Sequence, residues 1–294
     1  MPKTFLIKRV GFPLFNKQLL LILYPIFISK VNNMKKIMLS MMAVLLMLVT
    51  AVYAQNQGDA SAQQQAEVLL ETTEGNIQLV LYNETPQHRD NFLKLVRMNF
   101  YDSLLFHRVV KDFMIQGGDL NSKHAQPGQR LGTGDLDYTI EPEFRLPQLY
   151  HRRGVLAAAR EPNEVNPDMR SGACQFYIVW GRVLNDAAIM KVQERLDILT
   201  QGRVQLTPEM VETYKTVGGT PHLDGQYTVF GEVTKGLDVI DRIQQLPTDK
   251  YHRPLTDVRI LRATIITDPF APAPKKDVKK AASKKPAPNR QKKR

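Results

Sequence analysis

Residues 67–268 predict one mainly β domain, a closed barrel or a sandwich of short strands, interrupted by a two-helix insertion. Three observations carry this reading. Short apolar runs recur at 106–110, 113–116, 154–159, 175–179, 227–233 and 258–267, separated by Gly and other turn residues. The gaps between them mostly lack the helical periodicity that an α/β doubly wound fold requires. No Pro/Ser/Gly-rich linker divides the stretch, so a single domain is expected.

The elements follow in order. Val68-Leu69-Leu70 and Ile77-Gln78-Leu79-Val80-Leu81 flank Thr73-Glu74-Gly75-Asn76, two β-rich runs around a Gly-containing turn, which predicts a hairpin. Thr85-Pro86 supplies an N-cap and a proline at the first helical position. Phe92, Leu95, Val96 and Asn99 then recur at helical spacing, predicting a helix to about Met98. The short runs above are the remaining strands. Between 185 and 219 the period changes: Ile189, Val192, Leu196 and Leu199 form the apolar stripe of one helix. Thr207-Pro208 restarts a second helix carrying Val211, Tyr214 and Val217, which Gly218-Gly219 stops. Packing against the barrel wall is the expected role of this insertion.

Charge divides the chain of 294 residues differently from its average. Of 40 Lys and Arg, 7 lie in residues 1–54, which hold no acid, and 10 lie in residues 271–294, which hold only Asp277. The 23 that remain face 28 acidic residues, so the net +11 resolves into basic ends around a middle of −5. A folded nucleic-acid-binding surface is not expected from that balance. Met34-Lys35-Lys36, the apolar run 37–52 and Val52-Tyr53-Ala54 have the three parts of a secretory signal, with cleavage after Ala54 and a true start at Met34. Residues 1–54 therefore read as an N-terminal extension plus signal, and 55–66 as a linker. A periplasmic or secreted location follows, an inner-membrane anchor being the alternative. Residues 269–294, rich in Pro, Ala and Lys, read as a disordered basic tail that either solubilises or meets an anionic surface.

Familiar catalytic sets are missing from the sequence. The six His include no HExxH, and there is no GxSxG, phosphate-binding Gly loop or GxGxxG. One Cys, Cys174, excludes an internal disulfide framework and opens an apolar run, so it reads as a buried thiol. No metal or cofactor is called for. What stands out is Phe106-His107-Arg108-Val109-Val110-Lys111-Asp112-Phe113-Met114-Ile115-Gln116-Gly117-Gly118-Asp119. Period two puts Phe106, Arg108 and Val110 on one strand face, and an Arg between apolar neighbours needs something for its guanidinium to bind.

That segment resembles the FHR…F-M-x-Q-G-G-D signature of the cyclophilin family of peptidyl-prolyl isomerases. Gly154-Val155-Leu156-Ala157-Ala158-Ala159 is similar to the family's G-x-L-x-M-A strand. Gln175-Phe176-Tyr177-Ile178 resembles Q-F-F/Y-I, and Leu223-Asp224-Gly225 with Val229-Phe230-Gly231 resembles L-D-G…V-F-G. The four blocks are collinear over about 200 residues. The resemblance implies a closed eight-stranded antiparallel barrel capped by two helices, and an isomerase acting without a cofactor on Xaa-Pro bonds of unfolded or proline-containing polypeptides, as a monomer.

The same resemblance implies the site. Arg108 matches the catalytic Arg, and Gln116 the residue that binds substrate backbone and orients it. Phe113, Met114, Tyr177 and Leu223 match the proline pocket; Ala159 and Gln175 line the adjoining groove, and Tyr227 stands where the family often has His. His222 replaces a common Trp that supports cyclosporin binding, which implies weaker cyclosporin affinity. Arg160 replaces an Asn used mainly through its backbone. The loop 161–172 departs from the family pattern, so sequence preference around the proline is left open. A proline-segment-binding chaperone with little turnover is the alternative function.

Overall fold

The computed structural model describes residues 64–271. The apolar segment ending at Ala54 and the basic tail beyond residue 271 lie outside the described residues. Strand β1 (Ala66–Thr72) and β2 (Gly75–Leu81) form the expected hairpin, paired from Ala66 with Leu81 to Thr72 with Gly75. Alternation is strict on β1, where Ala66, Val68, Leu70 and Thr72 are buried and the residues between them are not. Six more strands continue this sheet: β3 (Arg108–Val110), β4 (Met114–Gly117), β6 (Val155–Ala158), β8 (Phe176–Val179), β9 (Val229–Lys235) and β10 (Ile260–Thr267). The order β10-β1-β2-β9-β6-β8-β4-β3 is antiparallel throughout. Two strands of two residues each, β5 (Thr139–Ile140) and β7 (Ser171–Gly172), pair separately.

The expected closed barrel is corrected to an open one. The ladder ends at β10 on one side and at β3 on the other, and these two strands do not pair. The segment before β3 lies along β10 instead. Ser103 N–H donates to Ile260 O (2.8 Å), Ile260 N–H to Leu104 O (2.8 Å) and Phe106 N–H to Val258 O (2.9 Å). This also corrects the predicted face of Phe106. Because regular strand geometry begins only at Arg108, Phe106 turns into the core against Phe176 while Arg108 does not.

Helix α1 (Pro86–Arg97) and helix α4 (Leu237–Gln244) cap the inner face of the sheet. Phe92, Leu93, Leu95 and Val96 of α1 and Val239, Ile240 and Ile243 of α4 enter one core with the inward residues of the strands. Phe92 anchors an aromatic cluster with Tyr101, Phe176 and Phe230 at centroid separations of 4.8, 5.5 and 5.7 Å. Thr85 precedes α1 as expected but gives it no side-chain cap. The Glu143 carboxylate does so from a distant loop, accepting from the backbone N–H of Gln87 (3.2 Å) and His88 (3.0 Å) and from His88 Nδ1 (2.7 Å). Burial would raise the Glu143 pKa, but these hydrogen bonds bring it below the usual value.

The insertion folds as α2 (Asp186–Thr200) and α3 (Pro208–Thr216), capped by the side chains of Asn185 and Thr207. Its buried stripe differs from the predicted one. Ile189, Leu196 and Thr200 are buried on α2 while Leu199 is exposed; Met210 and Tyr214 are buried on α3 while Val217 is exposed. Among the described residues no helix is long and apolar enough to cross a membrane.

Candidate functional site

The sheet has a second apolar face, directed away from the helix-capped core. Val80, Met114, Val155, Tyr177, Val179 and Val229 form its buried part, with Phe113, Ala159, Leu223 and Tyr227 packed at its margin. Directly opposite residues of an antiparallel pair project from the same side. Arg108 pairs with Gln116 and Val110 with Met114, so the β3–β4 hairpin places all four on this outer face while Val109 and Ile115 turn into the core. Gln116 also pairs with Tyr177 of β8, which sets the ring beside it.

These side chains border an open pocket of about 290 Å³. It brings together Arg108, Phe113, Met114, Gln116, Ala159, Tyr177, Leu223 and Tyr227. Gln175 is not in it. That residue borders a neighbouring groove of about 420 Å³, which shares Gln116, Ala159 and Arg160 with the pocket and runs along the loop 161–172.

A chain of amides fixes the guanidinium. Arg108 Nη1 donates to Gln116 Oε1 (3.0 Å), Gln116 Nε2 donates to Gln175 Oε1 (2.9 Å), and Gln175 Nε2 donates to the carbonyls of Gly132 (3.1 Å) and Gly134 (2.9 Å). Among the described residues the polar partners of Arg108 are Gln116 and the Met114 sulfur at 4.0 Å, neither of them charged. Burial lowers the Arg108 pKa, with Tyr227 opposing that effect, and a guanidinium remains a cation under such a shift. The result is a half-buried cation with unsaturated donors at the rim of an apolar slot.

The slot is made of rings and one thioether. Tyr177 and Tyr227 meet edge to face at 6.1 Å, and the Arg160 guanidinium lies 4.4 Å from the Tyr227 centroid. His222 stacks on Phe113 at 5.7 Å and 24°. Burial, with Arg195 nearby, lowers the His222 pKa to about 4, so it is a neutral ring at neutral pH.

Several contributors do more here than the sequence reading assigned them. Arg160 is held across the slot by its Nε bond to Gln226 O (2.7 Å), and it borders both pocket and groove. His107 also borders the pocket; it is buried, its two ring nitrogens lack hydrogen-bond partners among the described residues, and burial lowers its pKa to about 4. Asp119 accepts from Asn121 N–H (2.7 Å) and from Gly132 N–H, and so pins the loop whose carbonyls hold Gln175. The signal for Asp119 was its place at the end of the Gln116-Gly117-Gly118 run. Gly118 there has φ +94°, and a Cβ on it would lie 2.1 Å from Cys174 O. Cys174 is buried and donates to Asp135 Oδ1 (3.0 Å), as a structural thiol should. Among the described residues no group of three or more His, Cys, Asp or Glu could hold a metal ion.

The site is thus an apolar slot with a fixed cation at its rim and a groove beside it. Residues 67–265 match the family described as cyclophilin type peptidyl-prolyl cis-trans isomerase/CLD, and the chain belongs to that family. It is 33% identical over 204 residues to peptidyl-prolyl cis-trans isomerase-like 1 of Neurospora crassa, covering 69% of this chain and 95% of the relative. Peptidyl-prolyl cis-trans isomerase-like 3 of Gallus gallus is 32% identical over 211 residues, covering 69% and 98%. Among solved structures, a cyclophilin type isomerase of Cryptosporidium parvum aligns at 23% identity with a TM-score of 0.49, covering 69% of this chain and 99% of that one.

Proposed function

We propose that this chain accelerates Xaa-Pro isomerisation in extracytoplasmic polypeptides, and that Arg108 does so by donating a hydrogen bond to the proline nitrogen. Amide resonance sets a barrier of about 18–20 kcal/mol to rotation about the peptide bond. Twisting breaks that resonance and localises a lone pair on the nitrogen, which a planar amide does not offer. A donor at that nitrogen favours the twisted state over both planar ones, the condition for catalysis. The proline ring enters the slot between Phe113, Met114, Tyr177 and Leu223, and the flanking peptide follows the groove past Ala159 and Gln175. Gln116 holds the guanidinium and meets the substrate backbone. No general base and no cofactor is needed.

The observation that carries this reading is the anchored but uncompensated guanidinium, 3.0 Å from Gln116 and free of carboxylate partners among the described residues. Residues 67–268 are the working domain, exported by the segment ending at Ala54, with the tail 269–294 free to meet an anionic surface. The test is an isomerase assay on a proline peptide with the chain and its Arg108→Ala variant. Activity that survives the change removes the mechanism. A second reading, a proline-segment-binding chaperone, is favoured by a further cavity of about 290 Å³ that the insertion builds from Leu199 and Val204 against Leu146 and Met169. Wild-type protein that binds the peptide without turnover would select it.

A further inference from the structure

The insertion reaches the proline slot through a buried chain of hydrogen bonds. Tyr214, on α3, donates its hydroxyl to Asp224 Oδ2 at 2.6 Å. Asp224 Oδ1 accepts from the backbone N–H of His151 (2.8 Å) and lies 2.9 Å from His151 Nδ1. His151 Nε2 is 2.9 Å from the hydroxyl of Tyr177, whose ring borders the slot. The exposures along this chain are 0% for Tyr214, 0% for Asp224, 1% for His151 and 5% for Tyr177, so water does not compete with it. A carboxylate only accepts, so Nδ1 of His151 donates to Asp224, and in the tautomer with that single ring proton Nε2 accepts from Tyr177. Each hydroxyl, nitrogen and carboxylate oxygen in the series then has one consistent role.

The backbone holds the upstream end rigidly. Gly219, just after α3, bridges to both Arg152 and Arg182, and a Cβ there would lie 2.2 Å from His151 O and 2.7 Å from Tyr214 Cε1. Tyr214 is therefore seated beside the residue that receives its signal. At the other end, Tyr177 is gripped on two sides: the His151 ring lies nearly parallel to it, at 14° and 6.1 Å, and Tyr227 stands edge-on at 6.1 Å. A Tyr ring without its hydroxyl bond keeps its burial and its edge contact with Tyr227 but loses the hydrogen bond that ties it to His151.

We propose that Tyr214, acting through Asp224 and His151, is a positioning residue for Tyr177, so that the helical insertion sets the shape of the proline slot. The proposal rests on the isomerase reading above. Tyr177 touches the proline ring in planar and twisted states alike, so a displaced ring weakens binding more than turnover. Tyr214→Phe, which removes one oxygen and keeps the ring, is expected to raise KM for a proline peptide about three- to tenfold with kcat within about twofold. In a Tyr177→Phe background the same change is expected to move KM by less than about twofold, because the link is already cut. Packing damage alone would lower the folded fraction, hence apparent kcat, and would act equally in both backgrounds. An undiminished effect in the double variant, or an unmoved KM in the single one, overturns the proposal.

A readout without turnover separates the two readings. The ¹⁵N resonances of the His151 ring should show a proton on Nδ1 and none on Nε2, and Tyr214→Phe should shift the Nε2 signal. Wild-type protein with that signature and that shift but no isomerase activity would end the isomerase reading and keep the network. Activity lost in Arg108→Ala, with an unshifted His151 ring in Tyr214→Phe, would do the reverse.

Discussion

The two faces of one eight-stranded sheet are built on different rules. On the inner face, Leu70, Ile77, Phe92, Phe106, Phe176 and Ile178 are each buried to within 2% and belong to one apolar core. On the outer face the apolar cluster is rimmed by Arg108, Gln116, Arg160 and His222, polar groups left half-exposed and tied down by hydrogen bonds or stacking. The inner face derives its strength from area removed from water, about 25 cal/mol per Å². The outer face gives up part of that area to keep a slot open and a cation under-coordinated. Stability and chemistry are therefore separable by face, and substitutions can show it.

The largest contrast pairs Arg108→Ala with Phe176→Ala. Arg108→Ala is expected to lower kcat/KM about 10²- to 10³-fold, the usual loss on removing one transition-state donor, with the denaturant midpoint nearly unmoved. Phe176→Ala should cost about 3–5 kcal/mol of unfolding free energy, read from the same denaturant curves, while the folded fraction stays active. If Arg108→Ala unfolds the protein, the guanidinium is part of the scaffold and the division between faces breaks down. A smaller effect follows one step back along the relay. Gln116→Leu leaves Arg108 without its anchor at 3.0 Å, and about a tenfold loss in kcat is expected, with Gln175→Ala below that because it acts through Gln116.

How far the sequence could be read tracks the same division. Strict alternation on β1 and the helical spacing of Phe92, Leu95 and Val96 mark the inner face, because burial against a large core imposes period on every residue. Four collinear motif blocks mark the slot. What stayed hidden depends on chain segments meeting from afar. Glu143 caps α1 across more than fifty positions, α4 is only two turns long, and the two-residue strands β5 and β7 are too short for any pattern. Leu199 satisfied the helical period yet lies exposed, since α2 rests on the domain along a narrower stripe than its apolar residues cover. Phe106 misled because alternation was extended past the point where the strand begins. The barrel stays open for a related reason: segment 103–106 joins β10 by hydrogen bonds without adopting a paired strand.

Acid should act on the outer rim before it reaches the core. His107 and His222 are both held neutral, their pKa lowered to about 4 chiefly by burial, against about 6.5 in an unfolded chain. Between those values the unfolded state binds more protons than the folded one, so stability declines as pH falls from about 6.5 toward 4 and is flat above that window. Thermal unfolding at pH 5 and pH 7.5 measures this, and His107→Gln should shrink the difference. An unchanged difference in that variant would move the acid sensitivity to other groups.

The smallest expected effect sharpens the comparison most finely, because it changes the slot wall without touching the core or Arg108. His222 covers Phe113 with a small ring, where the wider family often has an indole that supports cyclosporin. An imidazole offers less apolar area and keeps a polar edge, so a large apolar macrocycle loses contact there while a single proline does not. His222→Trp is therefore expected to tighten cyclosporin binding about three- to tenfold, the range one added ring face gives in a half-open site, with kcat/KM for a short proline peptide within about twofold. Titration of both proteins with the drug decides it. Tight binding by the unaltered chain would mean that the loop next to His222, or the insertion behind it, already supplies the missing contact, and the outer face would then extend onto α2.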